Sequence, residues 1–258
     1  MEEINQYKSF LKRIILDNSY VSKYIDKSLE IQLDAFGSTH SLPADKRIVF
    51  CISDHSLLDE LEGLIDFKNT SIEKKETRNV VPCINIFSDE YENVHLVEQL
   101  KAIKLYKSSK ELYTGTCAFI LFHELGHIVY DGNFEKQLKK EEAADEFAFK
   151  AVLSNSVTPF EQDPNVLGTL LGLFNILYIQ GPSYANTDIE HPHPLDRVQT
   201  FLQMAKIPSD SAIWDISCKM INKCLSKHNL TQQLLPEKCT EENFNTLREY
   251  VKNMTSIK

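Results

Sequence analysis

Apolar side chains recur at every third or fourth position through most of this 258-residue chain, and short β-branched runs interrupt them in few places. The first pattern buries one stripe of a helix; a short run rich in Val, Ile and Phe marks a strand. Residues 2–33 therefore read as mostly helical, with Ile, Leu and Tyr on the stripe. "LPADKRIVFCIS" reads as a turn and then a strand near 47–53. "SLLDELEGLIDF" (56–67) reads as an amphipathic helix and "KNTSIEKKETRN" (68–79) as a polar connection. "VVPCINIFSD" (80–89) reads as a second strand, placed at a sheet edge because Pro82 has no N–H to give a ladder.

From residue 90 onward helix dominates. Helices are expected over 92–112, over "TGTCAFILFHELGHIVY", and over 134–154, 166–179, 195–207, 211–228 and 240–254. Thr114 and Thr116 are candidate caps of the second of these, and Asp131-Gly132 its stop. Prolines in "NSVTPFEQDPN" and "QGPSYANTDIEHPHP" break the series. The expected architecture is α+β and mostly helical, a single domain over 1–258. Its N-terminal part, 1–110, carries the small sheet, and 111–258 is the helical part.

Charge narrows the partners. Lys+Arg number 28 against 37 Asp+Glu, a formal charge of -9, so nucleic acid is not the expected ligand. The basic runs at 101–110 and 136–140 read as solvated helix faces. No signal-peptide-like apolar core opens the chain. "VLGTLLGLFNILYI" (166–179) is short for a membrane span of about 20 residues and contains Asn175, so a buried helix is expected. The six cysteines form no CxxC pair and read as reduced thiols of a cytoplasmic protein. Cys218, Cys224 and His228 lack both a fourth ligand and the close spacing of a zinc finger.

Candidate chemistry lies in "CAFILFHELGHIVYDG" (117–132). Residues four apart on a helix are rotated by about 40° and raised by about 6 Å, so His123 and His127 share a face. Two such imidazoles fit adjacent corners of a zinc tetrahedron. Glu124 stands about 100° round, unsuited to share the metal but able to take a proton from a water there. This is the HExxH pattern of zinc peptidases, and its five letters need support from context. Support follows in "KKEEAADEFAFKAVL", where Glu141 and Asp145 are again four apart. A reverse turn at "DGN" brings that helix back onto the first. Glu141 is then the candidate third ligand, with Glu142 as its competitor if the helix phase differs. Asp145, one turn on, can hold a ligand histidine by its N–H. Taken alone, "EEAADE" would be a solvated acidic face.

HELGH followed by ExxAD, here Glu141, Ala144 and Asp145, with "FAFKAVL" after it, resembles the gluzincin metallopeptidases. It is similar to the ImmA/IrrE-like soluble peptidases, whose second helix carries a comparable ExxA[ND]xFA pattern, and to the Lit-like phage-exclusion peptidases. Prenyl-protein endopeptidase relatives share ExxAD and a later HP-containing segment with Arg, matched here by "HPHPLDR" (191–197); this chain has an extra histidine there and lacks their membrane spans. The resemblance covers 117–153 and, more loosely, 191–197. It implies Zn²⁺ as cofactor, His123, His127 and Glu141 as ligands, Glu124 as general base and a protein or peptide substrate. It also implies a zincin-like active-site helix beside a small antiparallel sheet whose edge strand pairs with substrate, with "VVPCINIF" as the candidate edge.

In "HPHPLDR" two histidines sit in a proline-bounded loop. A histidine over the metal would stabilise the oxyanion of peptide hydrolysis. His191 is the first candidate, His193 and Tyr184 the alternatives; otherwise the prolines and Asp196 simply start a helix. The expected function is a cytoplasmic zinc endopeptidase cutting an intracellular protein. The alternative is a non-proteolytic zinc-binding regulatory module in a phage-defence or repressor circuit. Glu124 argues against a purely structural zinc, since structural sites are closed by four protein ligands.

Overall fold

The computed structural model describes residues 2–25, 29–34, 39–51, 109–185 and 188–254. The expected opening helix holds over its first half: α1 spans Glu2–Leu16, with Leu11 and Ile15 buried one turn apart. It stops at Asn18, which is buried. The Asn18 Oδ1 accepts the backbone N–H groups of Tyr20 and Val21, both at 3.0 Å, and its Nδ2 donates to the Ala151 carbonyl at 2.8 Å. An amide side chain that satisfies the next two residues' backbone ends a helix locally.

Residues 30–33, read as helix from the sequence, are strand. β1 (Glu30–Asp34), β2 (His40–Leu42) and β3 (Arg47–Cys51) form one sheet in the order β1-β3-β2. The strand expected near 47–53 is β3. The sheet expected to be antiparallel is mixed: β2 and β3 pair antiparallel as a hairpin, while β1 runs parallel to β3. The cause is the central place of β3. The hairpin uses one of its edges, and the dozen or so residues between β1 and β3 suffice for a parallel return on the other. Ile31 and Ile48 sit opposite each other in register, and both are buried. That pair holds a strand whose own sequence carries a helix-like stripe. The expected helix at 56–67, connection at 68–79, edge strand at 80–89 and most of the helix at 92–112 lie outside the described residues.

α2 (Ser109–Val129) and α3 (Gln137–Asn155) form an antiparallel helical hairpin. Gly132, at φ +75°, makes the turn between them in a left-handed conformation that glycine adopts without strain. α2 starts upstream of its expected caps, so Thr114 and Thr116 lie inside it. Thr116 has another task. Its hydroxyl reaches the Leu112 carbonyl at 3.1 Å and the Gly168 carbonyl at 2.8 Å, on the next helix, α4 (Pro164–Gln180). The helices meet this closely because Gly168 has no side chain: a Cβ there would lie 2.3 Å from the Leu112 carbonyl oxygen.

The described residues divide into two compact units. One holds α1, the sheet, α2, α3 and the start of α4, through Thr169. Its core includes Phe119, Phe122, Leu125, Phe147 and Phe149, and Phe119 stacks on Phe149 with ring centroids 5.8 Å apart. The other holds 157–163 and 170–254: the rest of α4, the short α5 (Pro182–Ala185), α6 (Pro194–Met204), α7 (Ala212–Lys227) and α8 (Glu241–Lys252). Its core centres on Phe201, Trp214 and Phe244. Asp196 on α6 binds Arg248 (2.8 Å) and Lys252 (2.7 Å) on α8. Among the described residues no helix is long and apolar enough to cross a membrane.

Candidate metal centre

The hairpin geometry follows from two small residues. Gly126 of HELGH faces Ala144 of ExxAD, and a Cβ on Gly126 would stand 2.8 Å from the Ala144 Cα and 3.1 Å from its carbonyl oxygen. With hydrogen at 126 and a methyl at 144, α3 comes close enough to α2 for short acidic side chains to reach the histidines.

They do reach them. His123 and His127 stand one turn apart with rings perpendicular and centroids 4.8 Å apart. Their Nε2 atoms lie 3.2 Å from each other. Glu141 Oε2 lies 3.2 Å from His123 Nε2, and Oε1 lies 3.5 Å from His127 Nε2. Ligands held about 2.0–2.1 Å from a zinc at tetrahedral angles are separated by about 3.3–3.4 Å. The two imidazole nitrogens stand near that separation, one ligand atom from each of the three residues lies within 4.8 Å of the others, and no other cluster of three potential metal ligands occurs among the described residues. The donor set of two imidazoles and one carboxylate suits zinc.

Asp145 reaches His123. Its Oδ1 lies 2.9 Å from His123 Nδ1. A carboxylate only accepts, so Nδ1 carries a proton, which leaves Nε2 as the nitrogen that would meet a metal. Burial would raise the pKa of Glu141, but hydrogen bonds to His123 and His127 and their charge outweigh it and hold the carboxyl well below the usual range. The competing Glu142 is exposed, turned away from the cluster and paired with Lys139.

Glu124 is buried beside the cluster. Burial pushes its pKa up, opposed by the charges of His123 and His127 and by a hydrogen bond from the Ser41 hydroxyl. Ser41 lies on β2, in register with the buried Ile48, on the sheet face that packs against α2. This contact is not legible in the sequence, because the partners are 83 positions apart and a three-residue strand makes it. A second unforeseen neighbour is Gln137, whose Nε2 donates to Glu141 Oε1 at 2.8 Å.

A family model for peptidase U49 matches residues 46–217, about two thirds of the chain. The chain belongs to the peptidase U49 family. The U49 match spans the helical hairpin with all three clustered residues and Asp145, and it also spans the loop carrying His191 and His193; Ser41 falls just before it. Membership makes proteolysis the functional class. No curated protein and no solved structure matches the chain.

The three candidate oxyanion donors belong to the second unit. His191 is exposed and its Nδ1 donates to Asp188 at 2.9 Å. His193 caps α6: its Nδ1 accepts the Leu195 N–H at 3.2 Å, so Nε2 carries the ring proton. That Nε2 is buried and finds no hydrogen-bond partner among the described residues. Pro194 and Asp196 open α6, as the plainer reading of the loop required. Tyr184 lies in α5, and its side chain is outside the described residues. The weak zinc alternative at Cys218, Cys224 and His228 is not assembled. Burial keeps both thiols protonated, and His228 Nε2 is bound to the Tyr178 carbonyl at 3.0 Å.

Proposed function

We propose that this chain is a zinc-dependent endopeptidase of gluzincin type, cutting peptide bonds of an intracellular protein. The observation that carries the reading is the convergence of His123, His127 and Glu141, each of which offers a ligand atom within 4.8 Å of the other two. It stands on the helix that also bears a buried carboxylate, Glu124. A zinc ion bound there would polarise the scissile carbonyl and lower the pKa of a water to about 7.

The residues supply the rest. Asp145 holds His123 in the tautomer that offers Nε2. Glu124 accepts the proton of the attacking water on its carboxylate and later gives it to the leaving nitrogen. Its burial, which raises its pKa, brings the base nearer to neutral pH, where proton transfer in both directions is efficient. Of the oxyanion candidates, His193 offers a neutral N–H. His191 has its Nδ1 bonded to Asp188. We carry His191 as the first candidate and His193 as the second. The similarity to ImmA/IrrE-like and Lit-like peptidases remains part of this proposal, as does a cytoplasmic location.

The test is a comparison of new protein N-termini in cells expressing the wild type and Glu124→Gln. New N-termini are expected only with the wild type, while both forms purify with equal zinc. The same set of cleavages from both forms would overturn the role of Glu124.

A further inference from the structure

Gln137 opens α3 one turn before Glu141, within a run of lysines. Residues four apart on a helix are neighbours on its surface. Here the contact is a hydrogen bond from Gln137 Nε2 to Glu141 Oε1, at 2.8 Å. The other carboxylate oxygen, Oε2, is the one nearer to a histidine nitrogen, at 3.2 Å from His123 Nε2 against 3.5 Å for Oε1 to His127 Nε2. Oε2 thus faces His123, while Oε1 faces both Gln137 and His127.

We propose that Gln137 is a positioning residue that holds Glu141 Oε1 and so fixes the rotation of the carboxylate that faces the two histidines. The inference rests on the metal reading given above. Its logic is that of a free carboxylate, which rotates and can bind a cation through one oxygen or through both. An amide N–H that occupies Oε1 removes that freedom before the cation arrives. It does so without a positive charge, so Glu141 keeps its full negative charge for the metal. A lysine would not. Lys139, two residues on, pairs with Glu142, and the neutral amide of Gln137 bonds Glu141. Outer partners that orient metal ligands typically set affinity by about 10–100-fold.

The experiment is a zinc titration of the full-length, zinc-stripped chain in competition with a chromophoric chelator, at fixed pH and salt. Wild type is compared with Gln137→Ala and with Gln137→Met, which keeps length and helix propensity but has no donor. Melting of the zinc-free forms is the control. Both variants are expected to bind zinc at least about tenfold more weakly than wild type, with melting midpoints of the zinc-free chains unchanged. Affinities within twofold of wild type for both variants would overturn the role of Gln137 while leaving the metal site standing. A wild type that takes up no zinc would instead overturn the metal reading itself, and this inference with it.

Discussion

At the scale of single residues, the hydrogen-bond partners of the groups near the cluster shape what each can do. His123 is tied at Nδ1 by Asp145, so its Nε2 is committed to the cluster. Replacing Asp145 by Asn should weaken zinc binding by about 10–100-fold, read in the same chelator titration. Ser41 donates to Glu124 and stabilises its charged form. Loss of one hydrogen bond to a charged group costs about 1.5–3 kcal/mol. Ser41→Ala should therefore slow cleavage of a mapped substrate by about tenfold or more, with zinc content unchanged.

His193 gives a prediction of another kind. Burial lowers its pKa from 6.5 to about 4, and the nearby charges of Asp196, Lys252, Arg248 and Glu249 act both ways. Since the folded pKa is depressed, the unfolded chain binds more protons between these values. The stability tied to neutral His193 is present above pH 6.5 and is lost as pH falls towards 4. Its size is on the order of 2 kcal/mol. Denaturant melts of wild type and His193→Asn, which keeps a capping side chain, should show the wild type losing more stability than the variant between pH 7 and 4. Parallel losses would contradict the assignment.

At the scale of elements, the site depends on how closely α3 lies on α2. Gly126→Ala places a methyl 2.8 Å from the Ala144 Cα, a backbone atom that cannot turn aside. The helices must separate. A loss of about 1–3 kcal/mol in stability and a marked loss of zinc affinity are expected, read by chemical melts and the chelator titration. An intact affinity would show that the hairpin tolerates the shift. This is also the scale at which the sequence is most and least legible. His123/His127 and Glu141/Asp145 are local i, i+4 pairs on helices joined by a Gly turn, so spacing alone brings them together. β1 was misread because "EIQLD" becomes a strand only by pairing with β3, a partner that is remote in sequence. Thr116 was misread as a cap because its partner, Gly168, is 52 residues away. Gln137 was hidden in a lysine run that otherwise reads as a solvated face. The local sequence does not tell what Gly126 and Gly168 pack against; only the neighbouring helix shows why a side chain cannot stand there.

At the scale of the whole molecule, the U49 family match supplies the class of reaction and the clustered residues supply a means. A peptidase of this family acts on protein substrates, and a formal charge of -9 disfavours a phosphate backbone as ligand. The account as a whole stands on one cation held by His123, His127 and Glu141. Elemental analysis of the full chain, loaded with zinc and desalted, tests this most directly. One zinc per chain is expected in the wild type and in Glu124→Gln, and almost none in His127→Ala, with helical circular dichroism retained. A wild type without zinc, or a His127→Ala chain that keeps a full equivalent, would contradict it.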